Sequence, residues 1–249
     1  MPYLSSIRIN PMRTASRRAL NNPHVIHGMV AMGLPDGLDS DRPLWRLDTD
    51  NPQRPRLTIL TRTKPDWHHI VEQAGWPNAE DPFRIEDYTP LFTHLTRGRE
   101  FAFRLTANPV QNTLKPTKPT PAQQRQIDAG RTRGFRVGHR TAAHQLAWLI
   151  ARTSRHGFTI PTGRTDPTAP GLDDNPHPPP DVRISQRHTL RFHKGNDERR
   201  LIVINTATFE GRLTITDPNQ LRQTLITGIG PSKSYGCGLL TLAPLPATL

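Results

Sequence analysis

Cysteine is almost absent. Cys237 stands alone, which excludes an intrachain disulfide and any cysteine-based metal cluster, and fits a reducing cytoplasm. Long apolar runs are missing too. No stretch reaches the roughly 18 residues of a membrane span, and no charged-then-apolar leader opens the chain. Aromatic residues make up only 6%, and no RNP-type run such as KGFGFVxF occurs. Base stacking on an open sheet, the usual mode of RNA-recognition motifs, is therefore not expected.

Acidic residues are the minority charge. Asp and Glu total 21 against 33 Lys and Arg, a net charge of +12 over 249 residues. The pI is near 11.0. Such a balance favours a polyanionic partner, nucleic acid or an anionic membrane. The length suffices for one large domain or two small ones with a real core.

The C-terminal stretch "GIGPSKSYGCGLLTLAP" spreads Gly228, Gly230, Gly236 and Gly238 around Lys233. Glycines admit positive φ and bring bare N–H groups close to an anion, and a lysine adds a mobile charge. The same glycines also suit a tight turn beside a sheet edge. The stretch is not a mononucleotide-binding P-loop. That motif runs strand, loop, helix, with Gly-Lys feeding the helix; here a helix precedes the loop, a strand follows it, and Ser232 precedes Lys233. The dinucleotide fingerprint fails for the same reason. ATPase and dehydrogenase chemistry are not expected, nor is a nucleotide cofactor.

Local patterns give an order of elements. "YLSSIRINP" reads as a strand. "NNPHVIHGMVAMG" reads as a helix capped by Asn22, with Pro23 in its first turn, Gly33 as its stop, and Ile26, Met29 and Val30 as its apolar stripe. "LWRLD" and "RLTILTRT" follow as strands. Residues 64–97 are weakly marked, with "FRIEDYTPL" as a short edge strand. "REFAFRLTANPV" is a strand, and Lys115 to Arg133 reads as a mobile Pro- and Thr-rich loop. "RTAAHQLAWLIARTSRHG" is a helix with Ala143, Leu146, Ala147 and Ile150 on its apolar face. Residues 161–181 carry no period and read as a disordered excursion. Two strands then flank the turn "KGND", a basic hairpin carrying Arg187, His188, Arg191, His193, Lys194, Arg199 and Arg200. A helix capped by Asp217, the glycine loop and a final strand close the chain.

Strand, helix, strand, strand, short element, strand, and then a similar set again, give an α+β fold of two ferredoxin-like βαββαβ units in tandem. They divide into 1–96, with the first helix, and 97–249, with the basic hairpin and glycine loop.

The contiguous block "FEGRLTITDPNQLRQTLITGIGPSKSYGCGLLTLAPL" closely resembles the C-terminal signature of the CasE family, the CRISPR repeat-processing endoribonucleases of type I-E systems. "FRLTANPV" resembles the family's central strand, and "YLSSIRINP…PHVIHGMV" its first strand and active-site helix. The blocks lie in the family's order along nearly the whole chain, and residues 111–182 match poorly.

The resemblance implies a tandem ferredoxin-like protein that binds a CRISPR repeat hairpin and needs no metal or cofactor. It implies cleavage at the 3′ base of the stem by the adjacent 2′-hydroxyl, giving a 2′,3′-cyclic phosphate and a 5′-hydroxyl. The enzyme then remains on its product among the other subunits of the Cascade complex. A binding subunit that no longer cleaves is the alternative.

His27 matches the family's catalytic histidine, and an imidazole suits proton transfer near neutral pH. Some members carry a tyrosine one turn earlier, where this chain has His24, either a substitute proton donor or phosphate contact or an idle side chain. The His-x-x-His spacing also suits a metal, but no Asp, Glu or Cys lies nearby in sequence, so zinc is not expected. Lys233 is the candidate for stabilising charge on the reacting phosphorus. Gly230, Ser232, Ser234 and Gly236 are candidates for contact with RNA phosphates. Arg187, Arg191, Lys194, Arg199 and Arg200 are expected beside the RNA stem, unless they only solvate an edge hairpin. Arg17 and Arg18, with Arg8 and Arg13, add charge near the first helix or are merely solvated. Tyr235 is expected to pack on the loop, and Cys237 to be a small buried residue.

Overall fold

The computed structural model describes residues 1–163, 178–193 and 201–245. β1 (Tyr3–Arg8), β2 (Leu44–Asp48), β3 (Arg56–Thr61) and β4 (Phe83–Asp87) form an antiparallel sheet in the order β2-β3-β1-β4. Helices α1 (Thr14–Asn21), α2 (Pro23–Met32) and α3 (Gly37–Ser40) run between β1 and β2, and α4 (His68–Ala74) joins β3 to β4. This is the ferredoxin-like arrangement. The second pattern starts after α5 (Thr89–Thr93) with β5 (Glu100–Ala107). A small ribbon follows, β6 (Val110–Thr113) against β7 (Phe135–Gly138), with α6 (Pro121–Asp128) between them. Then come α7 (Ala142–Ile150), β8 (Phe158–Thr159), β9 (Val182–His193), β10 (Leu201–Ile215), α8 (Pro218–Thr227) and β11 (Leu240–Ala243).

The second sheet runs β11-β5-β10-β8, with β9 also on β10. β8 pairs with Thr214 and Ile215 of β10, and β9 with its residues 201–211. Both lie on the β10 edge opposite β5 and together fill the second-strand place. The chain is therefore a tandem ferredoxin-like α+β protein with a C-terminal glycine-rich loop, as expected. Among the described residues, no helix is long and apolar enough to cross a membrane.

Alternation builds both cores. Ile7, Leu57 and Ile59 face α2 and α4, which contribute Ile26, Val30, Ile70 and Ala74. In β5, Phe101, Phe103, Leu105 and Ala107 point inward while their neighbours are half-buried. They meet Leu149 of α7 and Leu221 and Leu225 of α8. Burying each large apolar side chain contributes roughly 1.5–3 kcal/mol. This second core continues into Leu44, Leu60, Tyr88 and Phe92, so the two halves share apolar packing.

A polar bridge joins the facing sheets. Arg46 of β2, only 5% exposed, donates to Asp48, to the carbonyls of Arg104 and Leu239 and to Thr241. Arg104 holds both carboxylate oxygens of Asp50 at 2.6 and 2.7 Å. A buried guanidinium is tolerable only when its donors are satisfied this fully.

Three expectations need correction. Lys115 to Arg133 is not a featureless loop. It contains α6, fixed by a capping box in which Thr120 and Gln123 bond each other's backbone. The apolar face read for α7 is also rotated: Ala143, Ala147 and Ile150 are exposed, while Gln145, Trp148 and Leu149 are buried. The two polar groups are satisfied, Trp148 Nε1 donating to the Val110 carbonyl and Gln145 Nε2 to that of His139. Hydropathy alone cannot anticipate a buried glutamine with partners. "REFAFRLTANPV" is not one strand but two, because Val110–Thr113 leaves β5 to pair with a segment more than twenty residues on. The hairpin turn at 194–200 and most of the excursion at 161–181 lie outside the described residues.

Candidate active site and nucleic-acid interface

α2 presents the histidine. The Asn22 side chain accepts from the His24 backbone N–H at 2.9 Å, and Pro23 occupies the first turn. Ile26, Met29 and Val30 go into the core. His69 of α4 contacts the Met29 carbonyl at 2.9 Å and fixes the helix against its neighbour. At Gly33 the helix ends where a Cβ would strike the Trp67 ring at 2.4 Å. His27 is left half-buried on the side facing the glycine loop, against which α2 packs.

The loop itself is seated between two indoles. Its four glycines, Gly228, Gly230, Gly236 and Gly238, all have positive φ. At Gly236 a Cβ would lie 2.6 Å from the Trp45 ring, and at Gly230 it would lie 3.0 Å from that of Trp148. Ser232 also holds a left-handed backbone, φ 64°, and its hydroxyl accepts from Asn108 Nδ2 at 2.8 Å. This brings a short 3-10 turn, Lys233–Tyr235, against α2 and β2.

His27, Lys233 and Ser234 consequently line one cavity of about 460 Å3, together with Arg42, Arg62, Leu38 and Ile226. Among the described residues, no carboxylate lines it. Arg42 and Arg62 were not singled out from the sequence. The signal was the hairpin register: Leu44 pairs with Leu60, so two residues further on Arg42 falls opposite Arg62. Asp41, 1% exposed, holds this end of the hairpin together by accepting from Arg62 N at 2.7 Å, Thr63 N at 2.9 Å and Thr63 Oγ1 at 3.0 Å.

Burial, and then the Arg42 charge, push the Lys233 ammonium below the ordinary lysine value. Beneath the loop His156 is pushed down to about 4, first by burial, then by Arg155, Lys233 and Arg152. Its Nδ1 lies 3.1 Å from Thr224 Oγ1. Cys237 is fully buried and its thiol is pushed up to about 12, so it is inert packing.

The remaining candidates fall around this centre. His24 is half-buried on α2 but is not part of the cavity wall. Gly236 is buried under Trp45, and Gly230 is half-buried. Arg187 and Arg191 line a second cavity of about 510 Å3 with Arg140, His188 and Thr189. Arg187 donates to Gln145 Oε1 at 2.9 Å and to the Arg140 carbonyl, so its position is fixed. Arg17 and Arg18 are exposed on α1. Lys194, Arg199 and Arg200 lie outside the described residues.

Fold and site together define a tandem ferredoxin-like protein with a basic, histidine-bearing cavity beside a glycine-rich loop. A family model described as CRISPR associated protein matches residues 2–244, and the chain belongs to that family. It is 30% identical over 245 residues to the CRISPR-associated endoribonuclease Cse3 of Thermus thermophilus, covering 97% of this chain and 100% of that one. It is 31% identical over 211 residues to the Cascade subunit CasE of Escherichia coli K12, covering 81% of this chain and 89% of that one. The structure of Thermus thermophilus Cse3 bound to an RNA representing a pre-cleavage complex superposes with a TM-score of 0.70 at 30% identity, over 98% of this chain and 99% of that one.

Proposed function

We propose that this chain is the endoribonuclease that processes CRISPR precursor RNA, binding the repeat hairpin and cutting at the 3′ base of its stem. One observation carries the reading: His27 and Lys233, from opposite ends of the chain, line the same cationic cavity with Arg42 and Arg62. Support also comes from similarity to an endoribonuclease over 97% of this chain and to a Cascade subunit over 81% of it.

The reaction needs no water. The 2′-hydroxyl loses its proton as the 2′-O–P bond forms. A proton reaches the 5′ oxygen as the P–O bond to the leaving strand breaks. The products are a 2′,3′-cyclic phosphate and a 5′-hydroxyl. His27 serves one of these transfers, because an imidazole holds or accepts a proton near neutral pH. Lys233, Arg42 and Arg62 stabilise the charge that builds on the pentacoordinate phosphorus. Ser234, Ser232 and the loop backbone hold phosphates beside the scissile one, and Arg187 and Arg191 follow the stem, whose deep major groove hides its base edges. No step needs a metal.

Within this proposal residues 1–96 carry the catalytic helix and residues 97–249 the RNA-binding elements. The product stays bound, and the chain acts in the cytoplasm as a subunit of the Cascade assembly. The test is incubation with the cognate repeat RNA in EDTA, beside His27→Ala. One discrete cut ending in a cyclic phosphate, lost in the variant, is expected. Bound but uncut RNA would make the chain a binding subunit only.

A further inference from the structure

A basic cleft larger than the cavity of His27 lies away from the histidine. Arg8, Arg13, Arg54, Arg56, Trp76 and Asn78 line a cavity of about 840 Å3 at the far end of the first sheet. It sits where β1 ends and β3 begins, whereas Arg62 and the catalytic cavity lie just past the end of β3. The six residue-to-residue steps from Arg56 to Arg62 span about 20 Å of extended strand.

Two features of the cleft call for a ligand. Arg8, Arg54 and Arg56 are exposed, and none forms an ion pair among the described residues. Trp76 is 43% exposed, whereas Trp45, Trp67 and Trp148 are 2%, 0% and 4% exposed. A neighbouring depression of about 120 Å3 shares Arg8 and Arg56, and its Arg84 is already paired with Asp81 at 2.9 Å, so the free positive charge is that of Arg8, Arg54 and Arg56. Guanidinium groups around an exposed indole form a platform on which a base stacks while its phosphates are neutralised.

We propose that this cleft is a second RNA site, taking a single-stranded segment that runs on from the hairpin, with a base stacked on Trp76 and phosphates on Arg8, Arg54 and Arg56. The site rests on the reading of the chain as an RNA-binding protein. The interior of a duplex is not its ligand, because stacked pairs present no free face to the indole. An acidic protein segment would use the arginines but would gain little from the tryptophan.

The intact protein is tested with a short oligouridine, which cannot fold, by acrylamide quenching of tryptophan fluorescence. Trp76 supplies the quenchable signal, and oligouridine is expected to shield it. Arg54→Glu with Arg56→Glu should abolish that shielding and reduce the salt slope of binding by about 0.7 for each phosphate no longer neutralised. With repeat RNAs, Trp76→Ala should weaken binding of a flanked hairpin about tenfold, leaving the bare hairpin bound and cut as before. Equal loss on both RNAs, or a Trp76 that oligouridine leaves fully quenchable, would overturn the site. So would shielding by a polyglutamate peptide but not by RNA. Failure of the bare hairpin to bind would count against the catalytic reading alone, since the oligouridine result does not depend on it.

Discussion

Phe192 of β9 and Tyr235 of the glycine-loop turn pack edge to face, ring centroids 4.9 Å apart and planes at 61°. Phe192 is the buried residue near the end of an otherwise largely exposed basic strand. The contact therefore ties the turn end of the basic hairpin to the loop that carries Lys233. Aromatic pairs of this kind contribute roughly 0.5–1.5 kcal/mol beyond burial. Tyr235→Phe is expected to leave hairpin-RNA affinity unchanged, and Tyr235→Ala to weaken it about two- to tenfold, read by filter binding. Equal effects of both variants would mean that the phenol hydroxyl, not the ring contact, matters.

Lys233 sets an alkaline limit. Burial and Arg42 lower its pKa, so its charge is lost at a lower pH than that of an ordinary lysine. RNA cleavage should decline on the alkaline side as this proton leaves. Arg42→Gln removes the charge that disfavours it and should move the limb to higher pH, although the maximal rate falls. Lys233→Arg should remove the limb. A pH–rate profile for each variant decides this, and an unmoved limb in Arg42→Gln would disconnect the two residues.

The same substitution should have opposite signs at two glycines. Gly28, beside His27 on α2, has nothing within 4 Å of where a Cβ would stand, so Gly28→Ala should stabilise the helix by roughly 0.5–1 kcal/mol. At Gly236, φ is +79° and the Cβ would meet Trp45. Gly236→Ala should cost roughly 1–3 kcal/mol. Urea unfolding of both variants measures the pair.

His156 should make the protein sensitive to mild acid. Its folded pKa is about 4, below the ordinary 6.5, so the unfolded chain binds the proton more readily. Stability from this group is fully present above about pH 6.5 and is lost as pH falls through 4. Thermal unfolding between pH 7 and 4 should show a steeper loss in the wild type than in His156→Gln, which keeps a polar group near Thr224. Parallel curves would assign the acid sensitivity to other groups.

Much of the local structure was legible in the sequence. Asn22 and Pro23 marked the start of α2, and Asp217 and Pro218 that of α8, because caps and fixed φ act within one turn. The alternation of Phe101, Phe103 and Leu105 gave both the strand and its inward face. α7 was read with the wrong face because Gln145 is buried by partners outside the helix, the His139 carbonyl just before it and Arg187 of β9. α4 was missed because its seven residues offer too few turns for a period to emerge.

By itself the sequence determined the chain's charge, the capped starts of α2 and α8, and the glycines without which the Lys233 loop cannot turn, since all of these follow from residue type and near neighbours. Only the tertiary structure decided that His27 and Lys233 share a cavity, that Arg42 and Arg62 join them, and that Arg54 and Arg56 meet Trp76 elsewhere. These meetings depend on strand register and on packing between segments far apart in the chain. Propensity has no range over such separations, whereas the closing of two cores against each other does.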